Sequence, residues 1–227
     1  MNGRYNMKLL LNALTKYLAG LLLVGLLLFL PAGTFSYPNA WLFCGLLFVP
    51  MLILGVILYI KSPELLAKRL NHREKQNEQK KVVAGSGLLF VAGFVLAGLD
   101  FRFRWTFVPV WLVIMSSVIH LLSYAMYAEV MRENAYLSRT VEVQENQKVI
   151  DTGLYGIIRH PMYTATIFLF LSIPLVLGSW IAFAVFLCYP IMIVKHIRNE
   201  EDVLRAELDG YDDYTKRVRR RLIPFIW

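Results

Sequence analysis

Long apolar runs are the feature that most constrains the fold of this chain of 227 residues. Six such runs are present, at about 17–31, 40–60, 82–99, 107–127, 162–177 and 180–194. The first four approach the roughly 17–25 residues that an α-helix needs to cross a bilayer. The last two are shorter and are separated only by Gly178 and Ser179, which suits buried interior helices or a tight hairpin. The sequence therefore predicts an all-α integral membrane protein with about six apolar helices.

Positive charge is distributed unevenly among the connections between these runs. If all six runs cross the membrane, 22 of the 24 Lys and Arg residues lie on one side. Cytoplasmic loops retain Lys and Arg, so both termini are predicted to be cytoplasmic. The net charge of +8 then indicates contact with anionic lipid, because no basic patch is interleaved with aromatic residues as in a nucleic-acid-binding module. A retained first helix is favoured over a signal peptide, since the run is long and no clear A-x-A site follows it.

Two polar clusters flank the last apolar hairpin. Residues 1–128 are predicted to form four transmembrane helices, and residues 129–227 a core containing the hairpin 162–194. The first cluster is residues 153–163, and the second contains Arg198, Glu200 and Glu201. A hairpin brings both clusters to one side, and ionisable groups at a membrane boundary are costly unless they function. The alternative is that Arg198, Glu201 and Arg205, at helical spacings, form ordinary surface ion pairs.

His160 and Pro161 mark the start of the fifth helix. Proline suits the first turn, where its missing N–H costs nothing. His160 then lies at or just before a helix N-terminus, where unpaired N–H groups can hold a carboxylate. Cys44 and Cys188 lie inside apolar runs, so buried thiols are expected and neither a disulfide nor a metal site has support.

The polar clusters resemble a known family of membrane enzymes. The first reads Gly153-x-Tyr155-x-x-x-Arg159-His160-Pro161-x-Tyr163. The second reads Glu200-Glu201-x-x-Leu204, followed by Gly210-Tyr211-x-x-Tyr214. In order and spacing, residues 130–227 resemble the isoprenylcysteine carboxyl methyltransferase family. The same Arg-His-Pro-x-Tyr and Glu-Glu pattern occurs in related phospholipid N-methyltransferases.

This resemblance implies that S-adenosylmethionine (SAM) binds on the cytosolic side, between the last two helices and the C-terminal segment. The chain contains no G-x-G-x-x-G, so a Rossmann-type site is not expected. The residues that the resemblance places around SAM are Gln144, Gln147, Lys148, Val149, Ile150, Tyr155, His160, Pro161, Met162, Tyr163 and Glu201. Glu201 would bind the ammonium or ribose hydroxyls, and His160 the carboxylate. Arg198 matches the catalytic position that faces the methyl acceptor.

The acceptor is expected to be a lipophilic molecule that enters from the bilayer. A carboxylate is already ionised near pH 7, so its methylation needs alignment but no general base. Arg198 would orient this carboxylate with its planar guanidinium. An isoprenylcysteine-type carboxylate, on a protein or a small molecule, is therefore favoured. A lipophilic thiol, phosphatidylethanolamine N-methylation and a non-enzymatic membrane scaffold remain alternatives, and the oligomeric state is open.

Overall fold

The computed structural model describes residues 7–70, 77–134, 136, 143 and 146–223, although the side chains of residues 77–84 lie outside this description. Regular structure in these residues is entirely helical, which confirms the predicted all-α class. The helices are α1 (Met7–Ala32), α2 (Pro38–Lys61), α3 (Pro63–Leu70), α4 (Asn77–Phe103), α5 (Val110–Glu133), α6 (Pro161–Leu177), α7 (Trp180–Phe186), α8 (Cys188–Glu207) and α9 (Tyr211–Arg217). A 3₁₀ turn spans Gly153–Gly156.

Five helical segments among the described residues are long and apolar enough to cross a membrane. They are α1, α2, Gly85–Phe103 of α4, α5, and the combined α7–α8 segment Trp180–Glu207. These segments confirm the prediction of an integral membrane protein. α6 is also apolar but has only 17 residues.

α6 lies inside the bundle. At 1.5 Å per residue its length is about 26 Å, slightly less than the hydrocarbon thickness of about 30 Å. It packs chiefly against α5, and ten of its residues are buried. His120 of α5 and Ser172 of α6 form a buried hydrogen bond of 2.8 Å between the two helices. An interior helix surrounded by protein need not match the bilayer thickness.

The tight turn between α6 and α7 depends on Gly178 and Ser179. Gly178 adopts a φ of +83°, which favours glycine, and Ser179 Oγ caps α7 by accepting a hydrogen bond of 3.1 Å from the N–H of Ala182.

The sequence predicts one continuous helix from this turn to about residue 208. The structure extends this segment from Trp180 to Glu207 but divides it at Leu187, between the end of α7 at Phe186 and the start of α8, close to Pro190. Proline has no N–H to bond to the carbonyl four residues earlier, so the helix is interrupted at this point.

A buried carboxylate fixes the end of the bundle where α6 and α7 meet. Asp100 accepts hydrogen bonds from the N–H of Thr106 at 2.7 Å and from the Ser179 hydroxyl at 2.5 Å. Tyr37 donates a hydrogen bond of 2.6 Å to the carbonyl of Leu177. These contacts join the α1–α2 and α4–α5 connections to the hairpin turn.

The C-terminal segment covers the opposite end of α6. The N–H groups of Arg159 and His160 donate to the carbonyls of Arg220 and Arg221, both at 2.9 Å. The Thr164 hydroxyl donates to the carbonyl of Leu222 at 2.7 Å. The polar residues before α6 are thereby enclosed between the helix bundle and the tail.

Candidate functional site

A cavity of about 110 Å³, called the polar cavity below, lies where the two sequence clusters meet. It is bounded by the segment before α6, the C-terminal half of α8, and α9. Eight residues that the sequence assigns to the cofactor line it: Gln147, Lys148, Val149, Ile150, Tyr155, His160, Met162 and Tyr163. The structure therefore brings most of the predicted residues into one wall.

Pro161, Glu201 and Arg198 are predicted residues that do not line this wall. Gln144 lies outside the described residues. Pro161 is buried in the first turn of α6, as expected of its position, and Glu201 is buried beside the cavity. Arg198 is exposed on α8 and lines neither the polar cavity nor the apolar cavity described below.

The 3₁₀ turn is shaped by its glycine and by the end of α5. Gly153 has a φ of +52°, and the Glu133 carboxylate occupies the space that a Cβ would need. Glu133 Oε2 accepts a hydrogen bond of 3.1 Å from the N–H of Leu154. A side chain at position 153 would therefore meet both backbone strain and a steric clash.

Tyr155 is held in the cavity wall by contacts with two other elements. Its hydroxyl accepts a hydrogen bond of 3.0 Å from Asn134 Nδ2, and its carbonyl accepts one of 2.8 Å from the Tyr214 hydroxyl. Burial raises the pKa of the Tyr155 phenol to about 12, although the bond from Asn134 opposes this shift. The Tyr155 phenol is therefore neutral at physiological pH, and its ring is held in place in the cavity wall.

Glu201 is the centre of a buried ion-pair network. It is 1% exposed, and its Oε1 accepts hydrogen bonds from Arg159 Nε at 2.8 Å and His160 Nε2 at 3.1 Å. Its Oε2 accepts from Arg221 Nε at 3.0 Å. Arg205 lies 3.8 Å from the same oxygen. Because the Glu201 carboxylate is buried, this contact is not the ordinary surface ion pair that the helical spacing also allowed. The network joins α8, the segment before α6, and the C-terminal tail.

Glu200 lines the polar cavity, although the sequence favoured its neighbour. Its Oε2 is buried without a hydrogen-bond partner among the described residues, and lies 3.8 Å from His160 Nδ1. The Tyr211 hydroxyl also lines the cavity and is similarly unpartnered within the described part of the chain. Burial raises the pKa of Tyr211, so its phenol stays protonated and can donate a hydrogen bond. Buried polar atoms of this kind need an explanation, and a ligand supplies one.

The sequence predicts that N–H groups at the N-terminus of α6 can hold a carboxylate. The N–H groups of Tyr163 and Thr164 both donate to the carbonyl of His160, at 3.1 and 3.2 Å. His160 itself donates its N–H to the tail and contacts Glu201 through its ring. These N–H groups are therefore already bonded within the protein. The cation that lines the cavity with an exposed side chain is Lys148.

A second cavity of about 510 Å³, called the apolar cavity below, adjoins the first. Met162 and Tyr163 line both cavities. Its other walls come from α2, α3, α4, α5, α6 and α8 and are mainly apolar, but they include Arg69 and His196. Its size is typical of ligand sites, which span roughly 300–1,000 Å³. The sequence analysis missed Arg69 and His196, since neither belongs to the two polar clusters.

Comparison with known proteins adds an independent observation. Residues 105–208 match the model of a family described as phospholipid methyltransferase. A search of curated proteins found no match to this chain. The matched residues include α5 to α8 and much of the wall of both cavities. Over this range, a little under half of its length, the chain is similar to phospholipid methyltransferases.

Proposed function

We propose that this chain is an integral-membrane methyltransferase that takes its methyl group from SAM and transfers it to a lipophilic acceptor. The observation that carries this proposal is the common wall formed by Met162 and Tyr163. A polar donor in one cavity and an apolar acceptor in the other would meet at these two side chains. The match to a methyltransferase family supports the same reaction class.

The residues around the polar cavity fit the chemistry of SAM. The unpartnered Glu200 Oε2 suits the ammonium of the methionine part, and the Tyr211 hydroxyl suits an oxygen acceptor such as a ribose hydroxyl. Lys148 can bind the carboxylate. The rings of Tyr155 and Tyr163 offer faces to the adenine or to the sulfonium, which aromatic rings attract as they do other cations.

Bound in this cavity, SAM would supply an electrophilic methyl group. The protein would contribute orientation rather than acid–base chemistry, because a carboxylate acceptor is already ionised. Glu200 and Lys148 would fix the two ends of the methionine part, and Tyr163 would restrict access of water from the side of the apolar cavity. Alignment of two bound reactants can supply a large part of the rate.

An isoprenylcysteine-type carboxylate is the acceptor that we favour. Its apolar tail suits the apolar cavity, and its carboxylate needs no base in the protein. The predicted role of Arg198 in orienting this carboxylate stays a prediction. Its guanidinium is exposed and forms no ion pair or hydrogen bond with a described residue.

A phospholipid amine is the second candidate acceptor. The name of the matched family points to phospholipids, and His196 lines the apolar cavity with its ring 5.2 Å from that of Tyr163. An amine must lose a proton before or during methylation, and histidine is the side chain best suited to take it. Substitution of His196 by alanine should therefore impair amine methylation more than carboxylate methylation.

Calorimetric titration with SAM tests the proposed reaction class directly. Wild-type protein in mild detergent should bind SAM, Glu200→Gln should bind it more weakly, and Asp202→Asn, which changes an exposed neighbouring carboxylate, should match wild type. Transfer of tritium from labelled SAM to N-acetyl-S-farnesylcysteine or to phosphatidylethanolamine then separates the two acceptors. If folded wild-type protein binds no SAM at millimolar concentration, a non-enzymatic membrane scaffold is favoured. In a scaffold, His160→Ala should lower stability without affecting ligand binding.

A further inference from the structure

Arg69 is a cation at the boundary of two apolar spaces. It is the penultimate residue of α3 and lines the apolar cavity. It also lines a groove of about 480 Å³ between α1, α2 and α3, called the side groove below. Met51, Gly55 and Leu66 likewise line both spaces. A tail-like molecule that occupies either space would pass close to the Arg69 side chain.

The Arg69 guanidinium is directed towards the common wall of the two cavities. It donates a hydrogen bond to the Tyr127 hydroxyl, and its Cζ lies 5.4 Å from the centre of the Tyr127 ring. Its NH2 nitrogen is 4.0 Å from Met162 Sδ. Because Met162 also lines the polar cavity, a group bound by Arg69 would lie close to where methyl transfer is proposed.

Arg69 is a charged residue in mainly apolar walls. It belongs to α3, which is not among the five membrane-length segments, and its side chain is half-buried at the edge of both apolar spaces. Glutamine or leucine would fill a similar volume without a charge. A guanidinium differs from both in matching the paired oxygens of a carboxylate or phosphate. The position and the residue type together point to an anionic ligand.

We propose that Arg69 binds the anionic group of the methyl acceptor, whose apolar tail lies in the apolar cavity and extends towards the side groove. The substrate class is then a lipid-like molecule with a carboxylate or phosphate group. This inference rests on the proposed methyltransferase function. It assigns recognition of the acceptor to the N-terminal helices, far in sequence from the two polar clusters.

Two probe pairs test the preference for charge. The carboxylate pair is N-acetyl-S-farnesylcysteine and its neutral methyl ester, and the phosphate pair is dihexanoyl phosphatidate and dihexanoylglycerol. Binding is measured in nanodiscs of phosphatidylcholine for wild type, Arg69→Gln and Arg69→Lys. Lys68→Gln is the matched control, since it removes a neighbouring positive charge that is exposed on the same helix.

Wild type should bind the acidic member of one pair at least about tenfold more tightly than its neutral counterpart. The pair that shows this preference identifies carboxylate or phosphate as the anion. Arg69→Gln should abolish the preference and leave affinity for the neutral member unchanged, whereas Arg69→Lys should retain part of it. Lys68→Gln should match wild type.

The inference is overturned if wild type prefers neither acid, or if Arg69→Gln keeps the wild-type preference. An equal loss of affinity for the neutral member would also overturn it, because this indicates disturbed packing. SAM titration of the same preparations is a separate readout. Failure of wild type to bind SAM contradicts the proposed function, whereas normal SAM binding without discrimination between probes contradicts the role of Arg69 alone.

Discussion

The same substitution at two neighbouring glutamates of α8 should affect different properties, protein stability at one position and SAM binding at the other. Glu200 lines the polar cavity with an unpartnered oxygen, whereas Glu201 is buried among Arg159, His160 and Arg221. We expect Glu201→Gln to lower stability strongly and Glu200→Gln to weaken SAM binding with a smaller loss of stability. The two variants differ from wild type by the same change of atoms, so each serves as the control for the other.

The magnitude for Glu201 follows from its contacts. Loss of its charge leaves Arg159, which is 7% exposed, without the carboxylate at 2.8 Å. Removing one partner of a buried ion pair costs about 3–5 kcal/mol. The lower end of this range, about 3 kcal/mol, is expected because glutamine keeps one acceptor oxygen and because Arg159 NH1 also donates to the carbonyl of Val218 at 2.8 Å.

The magnitude for Glu200 follows from the bond that it would make to the ligand. A hydrogen bond between charged groups contributes about 1.5–3 kcal/mol, which corresponds to a loss of about 10- to 150-fold in affinity for SAM. Stability in the absence of SAM should fall less than for Glu201→Gln, because Oε2 has no hydrogen-bond partner among the described residues and because glutamine keeps an acceptor oxygen for the bond to Tyr163.

Two measurements on each variant decide the outcome. The free energy of unfolding is obtained from SDS titration in mixed micelles, and the dissociation constant for SAM from calorimetry at a temperature where both variants are folded. Weaker SAM binding by folded Glu201→Gln, with unchanged binding by Glu200→Gln, would refute the assignment from the structure. It would support the sequence-based prediction that Glu201 contacts the cofactor.

Three further variants test other parts of the structure. Tyr211→Phe should weaken SAM binding about two- to tenfold without destabilising the protein, because the lost hydroxyl lacks a partner in the described residues; calorimetry and thermal unfolding check this. Gly55→Leu should reduce acceptor affinity about tenfold, because the larger side chain would fill the boundary between the apolar cavity and the side groove. An added Cβ at this position meets no atom within 4 Å. Gly25→Leu is the control, since Gly25 is equally open but lines neither space. Asp100→Asn should lower the free energy of unfolding by about 2–3 kcal/mol, since an amide nitrogen would face the Ser179 hydroxyl or the Thr106 groups; SAM affinity, measured in parallel, should not change.

The lengths of the apolar runs were sufficient to predict the long helices of the bundle. The break before α8 has a signal in the sequence, because Pro190 has no N–H to bond to the carbonyl of Phe186. Run length does not detect this break, since the apolar residues continue on both sides of it. The interior position of α6 depends on its contacts with α5, and these are set by tertiary packing rather than by local preference.

The site was predictable in its composition but not in its orientation. The two clusters identify the polar cavity, since a hairpin necessarily returns the chain to the same side. Glu200 and Glu201 are about 100° apart on the helix surface, and the sequence alone does not say which one faces the cavity. The buried network around Glu201 includes Arg221, whose position depends on the tail folding back over α6. Arg69 is 93 residues from Met162 in sequence, so no local pattern could connect them.

The placement of the two cavities also explains why the family match leaves the acceptor open. Residues 105–208 include most of the polar cavity, and the parts of α5, α6 and α8 that line the apolar cavity. The parts of α2 and α3 that line the apolar cavity, including Gly55 and Arg69, lie outside the match. On our proposal, the donor site lies mostly within the match, whereas the acceptor site is shared between the matched helices and α2 and α3. We therefore expect substitutions in α2 or α3, above all at Arg69, to change the preferred methyl acceptor while the polar cavity stays intact.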